Sequence, residues 1–417
     1  MRFRDFHKNV KVRIYVLFAF GTVQAMTFPF MAIYFAKAMG EVTTGVLLTL
    51  SVVASMFSGA VGGYYADRIG RKKLMVLSEA IFLLSYLVMA VANSPWFDSP
   101  VLTFIAFFVT NVCWGIYGPA DEAMLLDVTT AENRQLMYAI FYWTTNLTMA
   151  VGASIGAFLF ESYRFLLFGA MSVVILGTLL STLFFIKETY VPPRGHQQNT
   201  NIIHNYLAVL RDWAFVRYTV AGMLVMAVEF QLSNYIGIRL SKTVGEQSLF
   251  HFHQFSLNID GVKLLGFLQT ENTVIVVLLA GLAASLAGRF PDKKVLASGI
   301  LLNVAGYSVM TVTSQPSFLM IAMLFATVGE VTAVPVRQSY LGDLAPSTAR
   351  SSYVAVNGMT FSASRVLASL GVMLGAIAPS WLMGVLSMSI GVAGLLLYQS
   401  VVKPALARRE QVDSLSA

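Results

Sequence analysis

Long apolar runs alternate with short charged stretches along the whole chain. The runs lie near 14–37, 42–65, 74–92, 101–125, 136–160 and 165–187, then near 214–240, 268–288, 294–314, 318–341, 352–376 and 380–402. Each is about 20 residues or longer, the length of helix that crosses a hydrocarbon core about 30 Å thick. Hydrocarbon offers no water to an open amide, so such runs satisfy their backbone only as helices. The pattern predicts an all-α membrane protein with twelve transmembrane helices in two pseudo-symmetric six-helix bundles: residues 1–187, a cytosolic linker at 188–213, and residues 214–417. Pro192, Pro193, Gly195 and the polar run Gln197-Gln198-Asn199-Thr200-Asn201 carry the linker reading. Between the seventh and eighth spans, 248–268 alternates polar and apolar residues around Asp260-Gly261. An Asp-Gly flanked by alternation signals a short hairpin, so a small external β-hairpin is expected there.

Composition narrows the class. The chain has 417 residues, 57% hydrophobic and 12% charged, against about 25% charged in an ordinary soluble domain. The single cysteine, Cys113, lies inside an apolar run and excludes a disulfide framework or a cysteine-based metal site. His251 and His253 lack companion ligands and read as a solvated strand face, so no metal and no cofactor is implied. The basic start runs straight into a full-length span, without the short apolar region or cleavage site of a secretory signal.

The net charge of +7 does not point to nucleic acid, because the Lys and Arg residues sit mostly in short loops. Arg2, Arg4, Lys8, Lys11 and Arg13 precede the first span; Arg68, Arg71, Lys72 and Lys73 follow the second; Arg194 and Arg211 lie in the linker. Arg289, Lys293 and Lys294 follow the eighth span, and Lys403, Arg408 and Arg409 end the chain. With twelve spans all of these fall on one side, which the positive-inside rule makes cytosolic. Arg164 stands alone on the opposite side, with Arg239, Lys242 and Lys263 as exceptions near one external loop. The expectation is a multi-pass, monomeric protein of the cell inner membrane with both termini cytosolic.

After the second span the chain reads Gly63-Tyr64-Tyr65-Ala66-Asp67-Arg68-Ile69-Gly70-Arg71-Lys72-Lys73. This string resembles the loop signature of the major facilitator superfamily, G-x-x-x-D-R-x-G-R-K. Small Gly63 lets helices approach, Gly70 permits a tight turn, and Asp67 and Arg71 can form a breakable charge cluster that Asp127, at the cytosolic end of span four, can join. A degenerate second copy lies at 281–294, as the internal duplication of that fold would have it. Further stretches are similar to the drug:proton antiporter branch: Thr44-Gly45-Val46-Leu47-Leu48, Ala131-Glu132-Asn133-Arg134, Tyr142-Trp143 with Asn146-Leu147, and Gly329-Glu330 with Pro335. The resemblance implies export of lipophilic, often cationic, compounds in exchange for protons. Gly152-x-x-x-Gly156 lacks the proline usual in antiporters.

Each charge inside a span costs at least about 2.5–3.5 kcal/mol on insertion scales and asks for a reason. Glu330, near the middle of span ten, matches a carboxylate that the resembling antiporters use in proton coupling. Arg337 follows on the same helix face, two turns nearer the cytosol. Asp121 and Glu122 follow Gly118-Pro119 in span four; Glu122 is read as lining the cavity and Asp121 as paired or nearer the interface. Glu229 in span seven, with Gln231 and Asn234, is a further proton-coupling candidate. Phe141 and Ser233 stand where the resembling antiporters carry acids, so the carboxylate set is rearranged. Arg365 in span eleven either neutralises Glu330 or Glu229 or meets an anionic group of the substrate. Tyr142, Trp143 and Asn234 are candidates for the substrate cavity. The alternative is a dedicated carrier of one metabolite, such as a peptide, amino-acid derivative or lipid, which Arg365 favours; a non-transporting receptor or scaffold is a third class. No phosphate loop, nucleophile–base arrangement or metal-ligand spacing suggests an enzyme.

Overall fold

A computed structural model describes residues 6–129, 131–189, 209–252, 255–287, 290–346 and 350–416. The chain forms two compact units. One contains the chain up to Gly195 together with Ile259–Thr273, the other His196–Asn258 with Val274–Ala417. Most of the expected linker, 190–208, lies outside the described residues.

The first unit opens with α1 (Lys8–Thr27), which a short 3-10 turn at Phe28–Phe30 joins to α2 (Met31–Met39). Pro29, at the start of that turn, divides the first span because proline cannot donate to the preceding turn. Next come α3 (Glu41–Ile69) and α4 (Arg71–Val91), separated only by Gly70. A two-residue ladder pairs Asn93 with Asp98 and Ser94 with Phe97. The α5 helix (Pro100–Asp127) starts on Ser99, whose hydroxyl accepts from the Leu102 amide at 3.3 Å. The α6 helix (Ala131–Phe185) runs for 55 residues but breaks at Tyr163 (φ −130°, ψ 30°). At 1.5 Å per residue, an unbroken helix of that length would reach about 80 Å, so α6 contains two spans. Gly152 and Gly156 supply its seat for α1: a Cβ at either position would run into the backbone of Thr22 or Met26. That contact explains the spaced glycines as a packing device.

The second unit carries α7 (Trp213–Glu229), a π-helical turn at Leu232–Ile236 and α8 (Gly237–Thr243). The π turn is marked by Ile236 donating to the Gln231 carbonyl at 2.9 Å and by the non-helical backbone of Asn234 (φ −115°, ψ −105°). Along the chain then follow strands β1 (Gln247–Phe252) and β2 (Phe255–Ile259), which pair, and α9 (Gly261–Ala287), whose first part up to Thr273 belongs to the first unit. The hairpin is present, but Asp260-Gly261 is not its turn. Asp260 instead caps α9, its Oδ1 accepting from the Val262 and Lys263 amides at 2.9 and 2.8 Å. Asp is as good a helix N-cap as a turn residue, and the apolar run that follows decides for the helix. The residues between the two strands, 253–254, lie outside the described residues.

The remaining helices are α10 (Asp292–Met310), α11 (Pro316–Leu344), α12 (Arg350–Gly375) and α13 (Ser380–Ser416). Their core is aromatic: Phe215 packs edge-on against Tyr353 at 4.5 Å, and Tyr218 against Tyr398 at 5.5 Å. Among the described residues nine helices are long and apolar enough to cross a membrane. One of them is the broken α6, with two spans; α10 and α12 complete the twelve. The α12 helix is the polar exception, carrying Arg365 among Ser362, Ser364 and Ser369.

Candidate functional site

In the second unit, α7 ends on Glu229 and α11 presents Glu330 and Arg337. Glu229 lies within electrostatic reach of both Glu330 and Arg337 and beside Asn303 of α10. Tyr307 faces the same two acids, while Tyr398 and Tyr218 flank Arg337. The Tyr218 hydroxyl donates to the Arg337 carbonyl at 2.8 Å. Asn303 donates to the Ala326 carbonyl at 3.2 Å, which sets its orientation between α10 and α11. One Glu229 oxygen is buried and has no hydrogen-bond partner among the described residues. Among the described residues around Glu229, two carboxyls thus face one guanidinium, a carboxyl in excess there. In a low-dielectric site that excess is expensive as bare negative charge, and a bound proton or cation relieves it.

The sequence candidates separate on this geometry. Glu229 and Glu330 come together, with Arg337 as the cation in reach of both. Arg365 sits half-buried on α12, next to Ser364, whose hydroxyl bonds the Met223 carbonyl at 3.0 Å. Asn234 donates from its side chain to the Phe230 carbonyl at 2.8 Å, within the π turn. Trp143 is 56% exposed. The side chain of Tyr142 lies outside the described residues.

The first unit holds a second charge cluster. Arg13 was expected among loop charges before the first span, but α1 begins at Lys8 and Arg13 is 5% exposed. Its Nε pairs with Asp121 Oδ1 at 2.7 Å, and its Nη1 lies 3.7 Å from Glu79 Oε1. The Tyr117 ring lies under the guanidinium at 5.3 Å. Asp121 is therefore ion-paired, whereas Glu122 is exposed and accepts from the Tyr138 hydroxyl at 3.4 Å. The helical rotation between neighbouring positions separates the two acids.

At the loop signature, Arg71 pairs with Asp127 and donates to the Ala123 carbonyl at 3.1 Å. Thr189 donates to Asp127 at 2.8 Å. Glu188 accepts from the Arg71 and Lys72 amides at 3.2 and 3.1 Å, at the head of α4. Gly70 makes the turn at φ +101°. Arg68 is exposed, Gly63 lies within α3, and the Asp67 side chain lies outside the described residues. In the second unit Asp212 receives both Arg408 nitrogens at 2.8 and 3.0 Å and the Tyr353 hydroxyl at 2.9 Å. It also caps α7 through the Phe215 amide at 3.3 Å. Burial raises the Asp212 carboxyl, but the bonds from Arg408 and Tyr353 outweigh it and hold the group below the usual carboxylate range.

Residues 14–252 and 250–414 match the Major Facilitator Superfamily. The chain belongs to that superfamily. Among its relatives is a Na(+), Li(+), K(+)/H(+) antiporter of Planococcus maritimus, 33% identical over 89% of this chain and 90% of the relative. Another is the multidrug resistance protein MdtH of Baumannia cicadellinicola, 24% identical over 86% of this chain and 80% of that one. A crystal structure of a POT family transporter in complex with 5-aminolevulinic acid has the same fold, with a TM-score of 0.71 at 14% identity over 94% and 96% of the two chains. The protein is thus a multi-pass major facilitator and a secondary transporter.

Glu79, Glu188 and the Asp212–Arg408 pair escaped the sequence reading of this major facilitator. Glu79 carried a visible signal, an acid inside the third apolar run. Glu188 and Arg408 carried none, since each resembles an ordinary loop charge.

Proposed function

We propose that the protein is a proton-coupled cation antiporter of the cell inner membrane, working as a monomer with both termini in the cytosol. The observation that carries the reading is the carboxyl excess at Glu229, Glu330 and Arg337, with one Glu229 oxygen buried and unpartnered among the described residues. A proton and a cation compete for that excess, and competition for one site is the simplest basis of exchange. When the site faces outward, a proton binds and displaces the cation; when it faces inward, the proton leaves and a cation takes its place. The bundles at 1–187 and 214–417 would move about the 188–213 linker, and the Arg71–Asp127 pair would be made in one conformation and broken in the other. Monovalent metal cations are the first substrate class, supported by the antiporter relative.

The second reading is export of lipophilic organic cations, supported by the multidrug relative and by exposed Trp143 and Glu122. Arg365 and Asn234 would then contribute to the wall of the cavity. Proteoliposomes with an acid interior and a trapped pH-sensitive dye separate the two. Alkalinisation on adding Na⁺, Li⁺ or K⁺ supports the first reading, and alkalinisation with ethidium alone supports the second. No response to any of them, from folded protein, overturns both.

A further inference from the structure

Glu79 of α4 is 2% exposed, and the proposed exchange does not use it. Among the described residues, the charged and titratable groups facing it are Arg13 from α1 and Asp121 and Tyr117 from α5; Thr182 of α6 adds a hydroxyl. Here too, two carboxyls share one guanidinium. The distances divide them: Arg13 is in contact with Asp121 at 2.7 Å but stands 3.7 Å from Glu79, beyond a hydrogen bond. Among the described residues the donors to Glu79 converge on Oε1, from Thr182 at 3.0 Å and Tyr117 at 3.3 Å. Its buried Oε2 has no partner among the described residues. A carboxylate accepts at both oxygens, whereas a carboxylic acid accepts mainly at its carbonyl and keeps the other oxygen as hydroxyl. An unpartnered hydroxyl costs less in a buried site than a carboxylate with no cation in contact, so these surroundings fit the neutral acid better.

We propose that Glu79 is a second proton-binding carboxyl, so that the transport cycle loads and unloads protons at two centres, one in each unit. On release, the proton leaves Oε2 for water. The carboxylate left behind then competes with Asp121 for Arg13, whose Nη1 already faces it. Arg13 would slide between two anions over the Tyr117 ring, linking proton loss in α4 to a shift of α1 against α5. The two-centre consequence for transport rests on the antiport reading; proton binding by Glu79 does not.

The test is infrared difference spectroscopy of the purified full-length protein between acidic and alkaline buffers. A carboxylic-acid carbonyl band that is lost on alkalinisation, persists in E229Q/E330Q and disappears when E79Q is added supports the proposal. Y117F, which keeps the carboxyl but removes one donor to its carbonyl, should move that band to higher frequency. It also decides the matter if E79Q does not fold. Absence of any such band in E229Q/E330Q, or no response to Y117F, overturns it. In proteoliposomes the protons moved per cation should fall by one in E79Q, and an unchanged ratio overturns the two-centre claim. Failure of the antiport reading looks different: the wild type exchanges nothing while the infrared band remains.

Discussion

The Glu188 carboxylate sits against Gly70, accepting the first two amides of α4 where a Cβ on residue 70 would intrude. Open amides at a helix start favour an anion there, by electrostatics and by hydrogen bonding together. The end of the sixth span thus tethers the loop that holds Arg71 against Asp127. Glu188→Ala should lower stability by about 1–2 kcal/mol, as loss of a helix cap does. Gly70→Ala should cost more, because it combines a left-handed backbone with a collision. Thermal unfolding in detergent measures both, and equal effects would mean that the carboxylate is not seated as described.

Glu330→Gln and Glu229→Gln should each abolish proton-linked exchange while leaving expression and thermal stability near wild type, since each removes an excess negative charge. The readout is the dye response in proteoliposomes. Full activity in either variant removes that carboxyl from the coupling.

Arg337→Met alone should be destabilising by about 3–5 kcal/mol, because it removes the guanidinium that both acids face in a buried site. Adding Glu229→Gln and Glu330→Gln should restore most of that loss, since a fully neutral site leaves no uncompensated charge. A double-mutant cycle on thermal stability measures the recovery. Additive losses would mean that the three groups do not interact.

Asp212 gives a pH prediction with a definite sign. Its carboxyl is held below the ordinary value of 3.8, so the folded state binds fewer protons than the unfolded one in that region. The stabilisation is complete above that ordinary value and is lost as pH falls through the lower, folded value. Asp212→Asn should therefore reduce thermal stability by a constant amount between about pH 5 and pH 8, where acid-linked losses have not begun. A penalty that varies across this range would contradict the pairing with Arg408.

These outcomes also mark what the chain discloses in one dimension. Glu229 and Glu330 were legible because an acid inside an apolar run is conspicuous, and the loop string led directly to Arg71 and Asp127. Arg13 was misread because it sits at the end of a basic stretch, where a buried cation and an orienting loop charge look alike. The same ambiguity hid Arg408, whose partner Asp212 lies 196 residues away. Asp260-Gly261 misled for a local reason: Asp opens helices as readily as it makes turns, and only the packing of the following segment separates them. Pairing across such distances depends on which helix faces touch, and spacing along the chain does not encode that.

The π turn at Leu232–Ile236 bears on how such a transporter tolerates changes in chain length. It accommodates one more residue than a regular helix would, shortly after Glu229. Deleting a single residue there would let the span relax to ordinary α-helix while the segments on its two sides keep their faces. In a regular helix the same deletion would turn the following segment by about 100°. The charge pairing of this span is therefore buffered against a one-residue indel, which the bulge absorbs.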